Sequence, residues 1–316
     1  AYELKFDAVI ADLHPQFSHT RFFEQRGYPV IRYQHHFAHL VSNLAQNDLL
    51  FSGKKYLGFC FDGTGYGTDG TVWGGEFLWA DYGGFTRLGS LEPFPLAGGD
   101  RAAEEGWRAA VNLLGVINPA RAKEEALALG LGTEGEIVAQ CLMAEKHLNC
   151  VTTTSAGRLF DAVSALLGIR RVSTFEGEAA MYLEAAAENF GVSTALPPPL
   201  LFEAAGFFRL PTRAIFQRLA AARRKGEDPA RLAAEFHAML AASIVAGCRA
   251  AREATGLSTA ALSGGVFQNR LLLRLVTEGL AADGFTVLRH HLIPPNDGGL
   301  ALGQAVHALG KFMSEA

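Results

Sequence analysis

The chain has 316 residues, 49% of them apolar and 19% charged, and a formal net charge of −4. That length can bury a substantial core in one large domain or two moderate ones, and the negative balance leaves nucleic-acid binding without a general electrostatic drive. No apolar run reads as a membrane span or signal peptide, and the four cysteines (Cys60, Cys141, Cys150, Cys248) form no CxxC pair, so a membrane-free cytoplasmic protein with reduced thiols is expected.

The opening stretch AYELKFDAVIADLHP enters a strand almost at once without a starter methionine, which suggests a chain that begins inside a longer protein. Short, partly β-branched runs at 8–11 (AVIA), 30–33 (VIRY), 56–61 (YLGFCF) and 260–263 (AALS) read as buried strands. Helical periodicity is expected over 20–26, 36–46, 101–114, 157–167, 177–189, 232–254, 268–281 and 298–311. Residues 58–91 read as an antiparallel meander, and the middle, 101–254, as almost wholly helical apart from a loop at 195–199. The whole suits an α/β fold of two lobes, one over 1–100 and one over 101–316, with glycine-rich loops between them.

Four constellations carry chemistry. In His35-His36-Phe37-Ala38-His39, His35 and His39 share a helix face and can hold one ion, with Asp62 and Asp297 as distant oxygen ligands. Two nitrogens and two oxygens suit Fe²⁺, Zn²⁺ or Mn²⁺ without choosing among them, and surface or core histidines that happen to sit close would give the same string. His36 points off that face. The segment from Asp62 through Gly63, Thr64 and Gly65 to Gly70 offers backbone amides to phosphate oxygens, or is a plain glycine-rich hairpin; no helix follows it, so the dinucleotide fingerprint is incomplete. Ser263-Gly264-Gly265-Val266-Phe267-Gln268-Asn269 ends a strand and opens a helix, a nucleotide loop or a plain turn. Asp161 and Gly177 lie in GRLFD and EGE, where an acid can accept from ribose hydroxyls or simply cap a helix. No Ser/His/Asp or Cys/His arrangement supplies a nucleophile, which favours a protein that orients an activated substrate.

Taken together, HHFAH, FDGTGYGTDGTVWGGEF, TSAGRLFDAVSALLG, EGEAAMYLE, SGGVFQNR and PPNDGGLALGQA resemble, in the same order, the C-terminal domain of the HypF carbamoyltransferases of nickel–iron hydrogenase maturation. The resemblance runs from Ala11 to Gly310. It implies an actin-like (ASKHA, the actin, heat-shock-protein and sugar-kinase type) fold, with the first lobe closed by part of the C-terminal helix. It implies a carbamoyl group passing from carbamoyl-adenylate, made from carbamoyl phosphate and ATP in a YrdC-like domain, to the C-terminal cysteine of a HypE-type acceptor. That thiocarboxamide then becomes the source of the hydrogenase cyanide ligands. By position, His35, His39, Asp62 and Asp297 match the metal ligands, with Fe²⁺ or Zn²⁺ expected. Phe61, Asp62, Gly63, Thr64, Gly65, Asp161, Gly177, Gly264, Gly265 and Asn269 match positions that hold ATP or AMP.

The acylphosphatase-like, zinc-finger and YrdC-like domains that precede this domain in the family are not in the chain, nor is the first β-hairpin of the actin-like fold, so a C-terminal fragment is expected. The alternatives are O-carbamoylation of a small molecule, tRNA threonylcarbamoylation, where a serine would be expected in place of Asp62, or an inactive docking fragment.

Overall fold

The structure is a computed structural model that describes residues 6–315 apart from 48, 50–52, 82, 194, 200, 201 and 205; the start of the opening stretch, 1–5, lies outside the described residues. Strands β1 (Val9–Asp12) and β2 (Val30–Tyr33) pair in parallel with Asp12 opposite Tyr33, joined through α1 (Ser18–Glu24). One residue after β2, the Gln34 side chain accepts the Phe37 amide at 2.8 Å and starts α2 (His35–Gln46).

β3 (Tyr56–Tyr66), β4 (Val72–Ala80) and β5 (Phe85–Leu91) form the expected meander, followed by β6 (Phe94–Ala97). The register of β3 against β4 shifts between Phe61 and Gly65, so Asp62, Gly63 and Thr64 leave the ladder as a bulge. Where one helix was expected over 101–114, α3 (Arg101–Glu104) and α4 (Gly106–Ile117) are separated by Glu105 at φ −100° and ψ 77°. The break lets Gly106 press on Asp161, whose carbonyl oxygen would stand 2.7 Å from a Cβ there.

The middle continues with α5 (Ala122–Ala128), α6 (Glu134–Glu145), α7 (Ala156–Leu166) and α8 (Glu178–Phe190), but it is not wholly helical. It also holds β7 (Cys150–Thr153) and the hairpin β8 (Phe202–Ala204) and β9 (Phe207–Leu210). These strands are too short to show an alternation, and pairing makes them: β7 lies on β6, β9 on β5. Then come α9 (Thr212–Arg224), α10 (Pro229–Thr255), β10 (Thr259–Ser263), α11 (Arg270–Ala282), β11 (Thr286–Leu288) and α12 (Leu300–Glu315). By length and composition α10 could cross a bilayer, which corrects the expectation that no stretch comes near it. Yet 78% of its apolar window is buried inside the protein, as in a core helix.

One sheet runs β11-β10-β3-β4-β5-β9-β8, with β10 parallel to both β3 and β11. A lobe boundary at residue 100 crosses this sheet, since β3 to β5 precede it and β8 to β11 follow it. Both faces are covered, which is why YLGFCF is apolar throughout. Leu57, Phe59 and Phe61 join the larger core with Trp107, Phe160 and Phe236. On the other face Tyr56 joins Tyr33, Phe37, Leu40 and Leu44 of the smaller one, and Gly58 leaves room for the Leu40 side chain. Each such buried Leu or Phe contributes on the order of 2 kcal/mol. Packed between sheet and α12, α2 buries every residue from 35 to 44, so its histidines are held by the core on both sides.

Candidate metal centre and adjoining clefts

His35 and His39, one helical turn apart on α2, turn their Nε2 atoms toward the β3 bulge and the loop before α12. Asp62 Oδ2 lies 3.1 Å from His35 Nε2 and 3.3 Å from His39 Nε2; Asp297 Oδ1 lies 3.6 and 3.4 Å from the same atoms. One ligand atom from each residue falls within 4.8 Å of all the others. A tetrahedral shell with bonds of about 2.1 Å has edges of about 3.4 Å, so the four nitrogen–oxygen separations already match a small divalent ion. The donor set fits as well. His39 is fully buried and neither ring nitrogen makes a hydrogen bond of good geometry; its Nε2 meets only the Asp62 and Asp297 oxygens, at 3.3 and 3.4 Å, across the space an ion would fill.

Three local features make this geometry. The Gly265 amide donates to Asp62 Oδ1 at 3.0 Å and leaves Oδ2 for the histidines. The Gly264 amide donates to the Pro295 carbonyl at 3.0 Å, tying the SGG turn to the loop that carries Asp297. Gly65 lies under α2, where a Cβ would stand 2.8 Å from His35 Cδ2 and would also collide with His36, so only glycine lets both rings sit there.

Electrostatics hold the cluster ready. Burial opposes a charge on His35, yet its contacts with Asp12, Asp297 and Asp62 carry its pKa well above the ordinary imidazole value; for His39 burial is likewise outweighed, mainly by the Asp62 charge. Burial would raise the Asp62 carboxyl, but His39 and His35 hold it well below the usual range, and close contacts with His35 and His39 depress Asp297. His36, off the shared face as expected, is kept neutral by burial and by the neighbouring His35 charge, and its Nδ1 lies 3.1 Å from Gln34 Nε2.

Two clefts adjoin the cluster. One of 580 Å³ is lined by Gly63, Thr64, Glu104, Arg158, Phe175 and Gly177. The other, of 370 Å³, has Gly177, Ala180, Glu184, Gly265 and Asn269 in its wall. Gly177 and Glu176 belong to both, and the volumes are those of small-molecule sites. Of the residues expected to hold a nucleotide, Gly63, Thr64, Gly177 and Gly265 therefore line open space. The others have different tasks. Phe61 is a core side chain with its ring against Phe77 and Phe267. Asp161 is buried behind Arg158, whose Nε lies 2.7 Å from its Oδ2, and burial raises its pKa. Gly264, at φ 96°, passes so close to the Phe61 backbone that a Cβ would clash with it. Asn269 caps α11 through the Leu272 amide at 2.8 Å and lies 3.0 Å from His237 Nε2, so its side chain is already committed.

Sequence reasoning missed Asp12 and His237. Asp12 Oδ2 is 2.8 Å from His35 Nδ1; the signal was a carboxylate closing an apolar strand run. His237, its pKa pushed down to about 4 by burial, sits inside α10 with no motif around it.

Residues 58–304 match the family model described as the second subdomain of the carbamoyltransferase Kae1-like domain, and residues 1–46 match that of the HypF Kae1-like domain. The carbamoyltransferase HypF of Rhodobacter capsulatus is 43% identical over 312 residues, covering 97% of this chain and 40% of that protein. A carbamoyltransferase HypF homolog of Cupriavidus necator is 39% identical over 312 residues, covering 94% of this chain and 76% of the homolog. This chain belongs to the HypF family. A crystal structure of full-length HypF in a phosphate- and nucleotide-bound form matches 98% of this chain and 39% of its own, with a TM-score of 0.89 and 32% identity. HypF of T. kodakarensis matches with a TM-score of 0.82 and 28% identity, over 97% of this chain and 41% of its own. The fold is thus the ASKHA type that the HypF resemblance implied, and the chain corresponds to the Kae1-like part of longer HypF proteins.

Proposed function

We propose that this chain is the carbamoyl-transfer domain of a HypF-type protein, moving the carbamoyl group of carbamoyl-adenylate to the C-terminal cysteine of a HypE-type acceptor. The supporting observation is the convergence of His35, His39, Asp62 and Asp297 within 4.8 Å, next to a cleft floored by Gly63 and Thr64. The two-nitrogen, two-oxygen set would hold Fe²⁺ or Zn²⁺, which when bound supplies a positive charge for the adenylate phosphate and carbonyl oxygens. The chain's own residues orient the substrate. AMP fits along the shared wall at Gly177, and the Gly63–Thr64 bulge lines the cleft where charge would develop on the carbonyl oxygen. The acceptor thiolate attacks the carbamoyl carbon, the bond to the phosphate oxygen breaks, and AMP leaves with the electron pair.

The carbamoyl-adenylate would come from the YrdC-like part of a HypF protein, and the product thiocarboxamide would feed cyanide-ligand synthesis in hydrogenase maturation. The four unpaired cysteines accord with a reducing cytoplasm. Preformed carbamoyl-adenylate, the purified chain and the acceptor should give AMP and a carbamoylated cysteine, and His39→Ala should abolish both metal retention and transfer. An unmodified acceptor in the presence of metal-loaded chain would overturn the transfer reading. Small hydroxyl compounds and tRNA as acceptors test the rival substrates.

A further inference from the structure

Asp12 ends β1, and the parallel register that sets it opposite Tyr33 brings it beside the first turn of α2. Its carboxylate is buried and doubly held: Oδ1 accepts the His14 amide at 2.9 Å, and Oδ2 lies 2.8 Å from His35 Nδ1. That nitrogen is the one turned away from Asp62 and Asp297. His39 has no such partner on Nδ1.

We propose that Asp12 is a positioning residue that fixes the hydrogen of the neutral His35 ring on Nδ1, so that the Nε2 lone pair faces the ion. The inference rests on the metal reading of the cluster. A carboxylate has only acceptors, and of the two that face the ring Asp12 is the nearer, 2.8 Å from Nδ1 against 3.1 Å from Nε2 to Asp62, so the single hydrogen of the neutral ring goes to Nδ1 and the Nε2 lone pair is left for an ion. Asp12 is not itself a ligand, because the imidazole stands between it and the cluster.

The discriminating variant is Asp12→Asn. It is isosteric, and because the His14 amide claims the carboxamide oxygen, the NH₂ group would face Nδ1 and drive the hydrogen to Nε2, which then cannot bind an ion. A role in shape or packing alone would tolerate this change. With the whole chain titrated with Zn²⁺ against a competing chelator, Asp12→Asn should weaken binding by about 10–100-fold, with the metal-free melting curve nearly unchanged. Asp12→Ala, which frees the ring to take either tautomer, should lose less. Nitrogen NMR of the metal-free protein at alkaline pH should show His35 protonated on Nδ1 in the parent and on Nε2 in Asp12→Asn. Parental affinity in Asp12→Asn, or an unchanged tautomer, overturns the proposal. Should His39→Ala also keep parental affinity, the metal reading itself fails, an outcome separate from the loss of Asp12's role.

Discussion

The Gly265 amide and the Asp62 carboxylate, 203 positions apart in sequence, meet in a hydrogen bond of 3.0 Å. Through it one carboxylate serves two neighbourhoods: Oδ1 is held by the wall of a cleft, and Oδ2 faces the histidines. A change that breaks this bond is therefore felt on both sides.

Gly65 is the position where the smallest addition should do the most damage. In Gly65→Ala the new methyl would meet His35 and His36, so the rings must turn and metal affinity should fall by at least about tenfold. AMP binding should change little. Metal analysis after gel filtration checks this, and full occupancy in the variant contradicts it.

The metal-free and metal-bound states should respond to pH in opposite ways. The raised pKa values of His35 and His39 contribute stability that is complete below the unfolded imidazole pKa of about 6.5 and fades as pH rises through the folded values. The depressed carboxyls of Asp62 and Asp297 contribute stability present above about pH 3.9 and lost as pH falls through their folded values. An ion needs neutral rings and releases their protons. At fixed Zn²⁺, the rise in melting temperature on adding metal should grow between about pH 6 and pH 8. A shift that shrinks over that range runs against the assignment.

Gln46, at the far end of α2, accepts the amides of His291, Leu292 and Ile293 at 2.8, 2.9 and 3.2 Å, and its Nε2 lies 2.6 Å from His290 Nδ1. It thereby clamps the loop that leads to Asp297. Gln46→Leu should speed metal loss to a chelator by about tenfold. These amides are largely exposed and water can replace the lost acceptor, so global stability should drop by only about 1 kcal/mol. Parental off-rates would show that Asp297 is held without this clamp.

Ala180 offers a way to separate nucleotide from metal. It lies in the wall of the 370 Å³ cleft beside Gly177 and Gly265. Ala180→Phe would occupy part of that space, so calorimetry should show AMP binding weakened by about tenfold or more while Zn²⁺ affinity stays at the parental value. Equal AMP affinity would move the nucleotide elsewhere.

Much of this was legible because local physics and tertiary need agree. VIRY pairs as it reads, and HHFAH carries both a helical period and a shared imidazole face. Asp62 and Asp297, the carboxylates of the candidate metal cluster, were readable as glycine-flanked acids. Asp12 was not, since a strand-ending aspartate is common and only the register with Tyr33 sets it against His35. Phe61, Asp161 and Asn269 illustrate the opposite limit: motif position marked them, but burial, the Arg158 pair and the α11 cap decide what their side chains touch. The break at Glu105 follows from the contact between Gly106 and Asp161, which no window around 101–114 contains.

The sandwiching of α2 between the sheet and α12 has a consequence for biosynthesis. Its histidines leave the ribosome before β10, which lies against β3, and before α12, which covers α2. Contacts that span so much sequence close late and slowly. The nascent chain thus holds a histidine pair without its carboxylate from the Asp297 loop, and an ion captured then would be weakly kept. If the cluster holds an ion, loading belongs after α12 has emerged, when retention of the ion would report that α2 and the Asp297 loop have found each other.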